Sequence, residues 1–241
     1  MRSLRLVTAF GLGYLLGTTP SADLVSRLTT GGRVDLRTSG SRNPGAVNAG
    51  RVLGASAGRA VMVADVAKGY AGCAAGRAIA GDIGAHIGGV AAVVGHCYPA
   101  WNDFDGGKGL ATTFGQSLYT FPVAAPVELG LVIGVARVPG LRRPGVVSTA
   151  VAVSSWLLMS LLWWRRRLPN SWGPKPTAAL FVANCATAGV VASRFVAAHR
   201  RGHPDELEGD RASGPARAPT ASVRCGGPPS PSSPWRISRT P

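Results

Sequence analysis

The chain has 241 residues and a formal net charge of +15, from 26 Lys plus Arg against 11 Asp plus Glu. Such a balance suits nucleic acid, anionic lipid or phosphorylated small molecules alike, but the arginines are scattered among loops with no recognition module, which argues against DNA binding. Its 46% hydrophobic content would fit a soluble protein, yet the charges cluster between long Ala-, Val-, Leu- and Gly-rich stretches, whereas a soluble helix carries charge on its wet face throughout.

Taken in chain order, the apolar stretches predict an all-α, polytopic membrane helix bundle of about seven spans, each needing about 20 mostly apolar residues. Arg2 and Arg5 stand at the head of the first, roughly 4–26. No clean cleavage site follows it, so it is read as a retained span rather than a signal peptide. The next are roughly 58–80, with Asp65 and Lys68 inside it, and 84–101. The run 110–136 is broken by Pro122 and Pro126 and divides into two short spans near 110–121 and 124–138. The last two are 145–164, ending in Trp163 and Trp164 as an interfacial belt would, and 177–198. The spacings Gly13/Gly17, Gly72/Gly76 and Gly84/Gly88 allow close backbone approach in lipid, or reflect a composition biased to Ala and Gly.

With the N-terminus outside, the loops near 27–57, 102–109 and 139–144 and the C-terminus face the cytoplasm. Arg27, Arg33, Arg37, Arg42, Arg51, Arg142 and Arg143 then obey the positive-inside rule, while Arg2, Arg5 and Arg165 to Arg167 do not. Residues 1–201 form the membrane domain and 202–241 a Pro-, Ser- and Arg-rich tail expected to be disordered. The cysteines Cys73, Cys97, Cys185 and Cys225 have neither CxxC nor metal-ligand spacing, so no disulfide framework or zinc site is expected.

Four elements carry chemistry. Residues Ser39 to Asn48, followed by Arg51, combine hydroxyls, amides, glycines and arginines in a pattern that suits an anion-binding nest or a plain polar loop. Gly106-Gly107-Lys108-Gly109 precedes a helix start, where free amides and a cation could meet an anion, although the Walker A spacing fails. Asp65 and Lys68, three residues apart at membrane depth, form either a structural ion pair or part of a site. His96 closes the third span in Gly95-His96-Cys97-Tyr98-Pro99, as a structural hydrogen-bonder or a catalyst.

In order, Gly13-x-x-x-Gly17-Thr18-x-Pro20-x-Ala22, the Ser39–Asn48 loop with Arg51 and Gly54, Asp65-x-x-Lys68-Gly69, Gly95-His96-x-x-Pro99 and Gly106-Gly107-Lys108-Gly109-Leu110-Ala111-Thr112-x-x-Gly115 resemble the membrane acyl-phosphate:glycerol-3-phosphate acyltransferases. The resemblance covers roughly residues 11–115 well. It implies a seven-helix bundle in the cell membrane that moves an acyl group from acyl phosphate to the 1-hydroxyl of glycerol 3-phosphate, giving lysophosphatidic acid with no metal or organic cofactor. It implies catalytic roles for Ser39, Arg51, His96 and Lys108. Substrate-binding roles fall to Ser41, Asn43, Gly45, Asn48, Gly106, Gly107, Gly109, Thr112 and His199. The partners expected are those two substrates and membrane lipids, not nucleic acid. The sequence departs from the family pattern at Arg42, Pro44 and Val47, where Gly, Ile and Thr are usual, at Asp105, often Lys, and at Gly202 and Asp205, usually Asn and Arg. An inactive paralogue and a small transporter are the alternatives; the His-x-x-x-x-Asp dyad of soluble-type acyltransferases is absent at all four histidines.

Overall fold

A computed structural model of the chain describes residues 1–208. Every regular element among them is helical: α1 (Arg2–Gly17), α2 (Ser21–Thr30), α3 (Ala46–Leu53), α4 (Ala55–Cys97), a single 3-10 turn at Ala100–Asn102, α5 (Leu110–Thr120), α6 (Ala125–Ala136), α7 (Pro144–Arg166) and α8 (Ala178–Arg200). Helix α4 is two arms joined by a kink at Ala80 and Gly81, where Gly81 takes φ 67°. At 1.5 Å per residue the arms reach about 37 Å and 24 Å, enough for a bilayer and for most of one. Counting the arms separately, α1, α4, α5, α6, α7 and α8 supply the seven expected spans. Among the described residues, three stretches are long and apolar enough to cross a membrane unaided: Ala55–Asn102, Pro144–Arg166 and Ala178–Arg200.

Two boundaries differ from the sequence reading. The first span is not continuous to 26; α1 stops at Gly17, and Pro20, whose ring suits a helix start rather than an interior, is the N-cap of α2. Within the loop expected at 27–57, α3 forms from Gly45 onward.

The glycine spacings are the hinge of the packing. On α4, Gly72 and Gly76 meet Gly84 and Gly88 across the kink, so closely that a Cβ on Gly76 would strike the Gly84 carbonyl. Gly13 and Gly17 of α1 press against the backbone of Gly88 and Ala92, and Gly95 against that of Tyr14. Gly69 and Gly115 do the same for α4 and α5, facing the carbonyls of Thr112 and Val66. In lipid, where apolar burial gives helices little reason to associate, such backbone contact supplies the dispersion energy.

Large apolar side chains point outward: Leu4, Val7, Met62, Val63, Leu158, Leu162 and Val182 are all exposed. Apart from Leu36 and a cluster around Phe121, Trp156 and Leu180, the buried side chains are mostly small or polar. Ser117 donates to buried Glu128 at 2.8 Å, joining α5 to α6, and Thr187 donates to Gln116 at 3.0 Å, joining α8 to α5. This arrangement, apolar outside and hydrogen-bonded inside, is what a hydrocarbon solvent selects.

Candidate active site

Chain direction brings the α1–α2 break, the loop before α3, the turn after α4, the α6–α7 connection and the end of α8 to one end of the bundle. Two cavities open there, separated by the segment Asp105 to Lys108.

The first cavity, about 250 Å³, is lined by Ser21, Asp65, Lys68, His96, Arg37 and Gly107 among others. The Lys68 ammonium spends its three protons on Asp65 Oδ1 at 2.9 Å, Thr19 O at 3.1 Å and Ser21 Oγ at 3.2 Å. Ser21 donates to Asp65 Oδ1 at 2.6 Å, and His96 Nδ1 lies 3.6 Å from the same oxygen. A carboxylate thus orients a buried imidazole from one side. The other ring nitrogen, Nε2, is pressed against Gly107 so tightly that a Cβ there would collide with it. Arg37 closes the rim with a forked pair to Asp23, 2.6 and 3.2 Å, and donates to Asp105 O at 3.2 Å.

Beyond the dividing segment lies a narrow cleft in two lobes, about 10 Å³ and 140 Å³, that share Lys108, Ala198 and His203; Arg42, Asn43, Arg194 and Arg201 make the first basic around Asp105, while the second sets Arg143 and His199 beside the acidic Asp205 and Glu208. Burial alone would push the Asp105 carboxyl up, but hydrogen bonds and charge from Arg194 and Arg201 hold it below the usual carboxylate range. Arg194, itself 9% exposed, donates to Asp105 Oδ1 at 2.8 Å, Gly106 O at 2.6 Å and Gly107 O at 3.2 Å. The backbone amides on the other side of this strip are also taken, Gly106 N by Cys97 O at 3.1 Å and Gly107 N by His96 O at 3.2 Å. These two glycines therefore serve close approach rather than anion binding. A Cβ on Gly106 would strike the His96 carbonyl.

Sequence-predicted residues divide accordingly. His96, Gly106 and Gly107 meet at the first cavity, and Asn43, Lys108 and His199 at the cleft. Asn48 is fully buried and ties its own loop, donating to Leu36 O and Ser39 O, both 3.0 Å, and accepting from Ser41 N at 2.8 Å. Gly45 caps α3 and Gly109, at φ 84°, caps α5. Thr112 packs its carbonyl against Gly69. Ser39, Ser41 and Arg51 line neither cavity; Ser41 is buried, and Arg51 lies on the exposed side of α3. Arg42 adopts φ 61°, a left-handed conformation that favours glycine and costs an L-residue roughly 1–2 kcal/mol.

Comparison with known proteins places this geometry. The glycerol-3-phosphate acyltransferase family profile matches residues 7–202. The chain belongs to that family. Among relatives, glycerol-3-phosphate acyltransferase 1 of Dehalococcoides mccartyi is 38% identical over 64% of this chain and 74% of its own. The glycerol-3-phosphate acyltransferase of Myxococcus xanthus is 38% identical over 65% and 89%. The fold matches PlsY (YgiH), an integral membrane glycerol 3-phosphate acyltransferase solved in its glycerol 3-phosphate form, with TM-score 0.67 and 25% identity over 82% of this chain and 89% of that one. The lysophosphatidic acid form of PlsY gives TM-score 0.65 at 24% identity. Within this glycerol-3-phosphate acyltransferase family member, Ser21, Asp23, Arg37 and Arg194 are the site-end residues that sequence reasoning passed over. Arg194 was detectable, as a cation inside an otherwise apolar span; Ser21 gave no local sign, because its partners lie on α4.

Proposed function

We propose that the chain transfers an acyl group from acyl phosphate to the 1-hydroxyl of glycerol 3-phosphate, forming lysophosphatidic acid and inorganic phosphate. The observation that carries this reading is the pair of back-to-back cavities sharing one thin wall, residues Asp105 to Lys108. One side offers an imidazole held by a carboxylate, the other a cationic cleft. Two phosphate-bearing reactants repel each other, and cations on the cleft side offset that repulsion at close range.

In this reading His96, positioned by Asp65, takes the proton of the 1-hydroxyl as its oxygen attacks the acyl carbonyl carbon. The bond from that carbon to the phosphate oxygen breaks, the phosphate leaves with its electron pair, and the proton passes to it from His96. Lys108 and Arg42 hold the phosphates, and the activated donor leaves positioning as the main demand. Relatives and the PlsY neighbour named as glycerol-3-phosphate acyltransferases support the acceptor; the donor rests on the motif resemblance. We place the site end on the cytoplasmic face of the cell membrane, on the strength of the arginines gathered there.

The deciding experiment gives the purified chain in detergent acyl phosphate and glycerol 3-phosphate and follows phosphate release. Turnover is expected, with Lys108→Ala losing it at least a hundredfold while the protein stays folded, consistent with about 2.7–4 kcal/mol for a lost electrostatic contact. Activity with acyl-CoA and none with acyl phosphate would overturn the donor. No turnover with either, in folded unmutated protein, would favour the inactive paralogue to which Arg42, Pro44 and Asp105 draw attention.

A further inference from the structure

Residues 203–208 follow α8 and were assigned by sequence to the tail, but they lie across the basic cleft. Helix α8 ends in a cap in which Gly202 N donates to His199 O at 3.0 Å and His203 N to Ala198 O at 3.0 Å, with Gly202 at φ 66°. The chain then turns back over Lys108. Asp205 accepts from Gly145 N and Val146 N, both 3.0 Å, at the start of α7, whose N-cap Arg143 supplies no side-chain cap of its own. Glu206 Oε1 lies 3.2 Å from Lys108 Nζ, and both side chains are only 11% exposed. Lys108 also rests over the Phe195 ring at 5.0 Å, so its ammonium is held between an aromatic face and a carboxylate.

Charge and position both bear on function. Asp205 and Glu206 together carry two negative charges, close to the −1.5 to −2 of a phosphate monoester near neutral pH. They meet that charge with the same kinds of partner a phosphate seeks: helix-start amides and a lysine. Nearby His203 adds little positive charge to the cleft, because burial and the charges of Arg201 and Arg42 push it below its ordinary range. The segment hangs from Gly202, past the end of α8, so it can lift away without unwinding a helix.

We infer that Asp205 and Glu206 are built-in competitors for the anionic substrate, occupying the Lys108 and α7 positions of the cleft and setting the chain's affinity for phosphate-bearing ligands. The inference rests on the assignment of Lys108 to the phosphate site. When the competent state is populated only as a fraction, apparent affinity falls by that fraction; a segment docked nine-tenths of the time weakens binding about tenfold.

The test compares the full chain with its Asp205→Asn/Glu206→Gln variant in detergent. Steady-state kinetics should show the KM for glycerol 3-phosphate falling about tenfold with kcat within about twofold. Calorimetric titration with inorganic phosphate should show Kd falling by a similar factor, and this arm reads competition even if neither protein turns over. Unchanged or weaker phosphate affinity in the folded variant overturns the inference, as does a collapse of kcat at unchanged KM. Should the double variant lose thermal stability, Glu206→Gln alone, which keeps the Asp205 cap on α7, decides by the same two measurements.

Discussion

Arg194 shows how much one buried side chain decides at the site. Its guanidinium reaches Asp105, Gly106 O and Gly107 O together, so it fixes the strip that presents Lys108 to one cavity and Gly107 to the other. A lysine has the charge but not the planar fork. Arg194→Lys is therefore expected to lower kcat at least tenfold while the KM change stays smaller, with circular dichroism unaltered. Asp105 makes the complementary case. In place of the Lys that the motif resemblance implies, it faces both Arg194 and Arg201, 2.8 Å from each. Asp105→Lys should cost more activity than Asp105→Asn in the same phosphate-release assay, because it sets three cations against one another in a confined loop. Equal losses would show that only the missing acceptor matters. At this scale the sequence was readable where partners are local: Asp65 and Lys68 pair at 2.9 Å as their spacing suggested. It was silent where they are remote, as with Ser21 on Asp65. Gly106 and Gly107 were read as amide donors; their small size, rather than their N–H groups, is what the structure uses.

At the scale of elements, glycine spacing was the most informative signal. Gly13/Gly17, Gly72/Gly76 and Gly84/Gly88 could have reflected composition, and all six lie at helix contacts where a side chain would strike backbone. Overpacking such a contact costs about 1–3 kcal/mol or more. Gly13→Val, whose side chain would strike the Gly88 backbone, should lower the detergent melting temperature and loosen α1, read as faster proteolysis at Thr18–Pro20. An outward Leu158→Val change should leave both alone. The continuity of α4 through the kink, and the break at Pro20, were harder to anticipate. Both depend on which faces dock after folding, and apolar run length alone does not encode that.

For the molecule as a whole, the seven spans, their order and the gathering of motif loops at one end were legible, since lipid demands long apolar runs and an even or odd count then fixes which loops share a side. Of the disordered tail expected over 202–241, the part from 209 onward lies outside the described residues. Topology can be measured directly. Single cysteines placed in cysteine-free protein at Thr38 and at Ser171 should label from opposite faces of inverted and right-side-out vesicles, Thr38 from the cytoplasmic side. Labelling of both from one face would overturn the bundle's polarity, and a reversed pattern its orientation.

The glycine seam between α1 and the second arm of α4 has a bearing on biogenesis. Helix α1 leaves the ribosome well before the segment that covers its Gly13 and Gly17, so in the interval its notched face meets only acyl tails. Gly88 contributes both to the seam within α4 and to the seam with α1, so neither contact is complete until the second arm of α4 has been made. The N-terminal helix, though first to arrive, therefore has its glycine notch filled only once Gly88 and Ala92 have followed it.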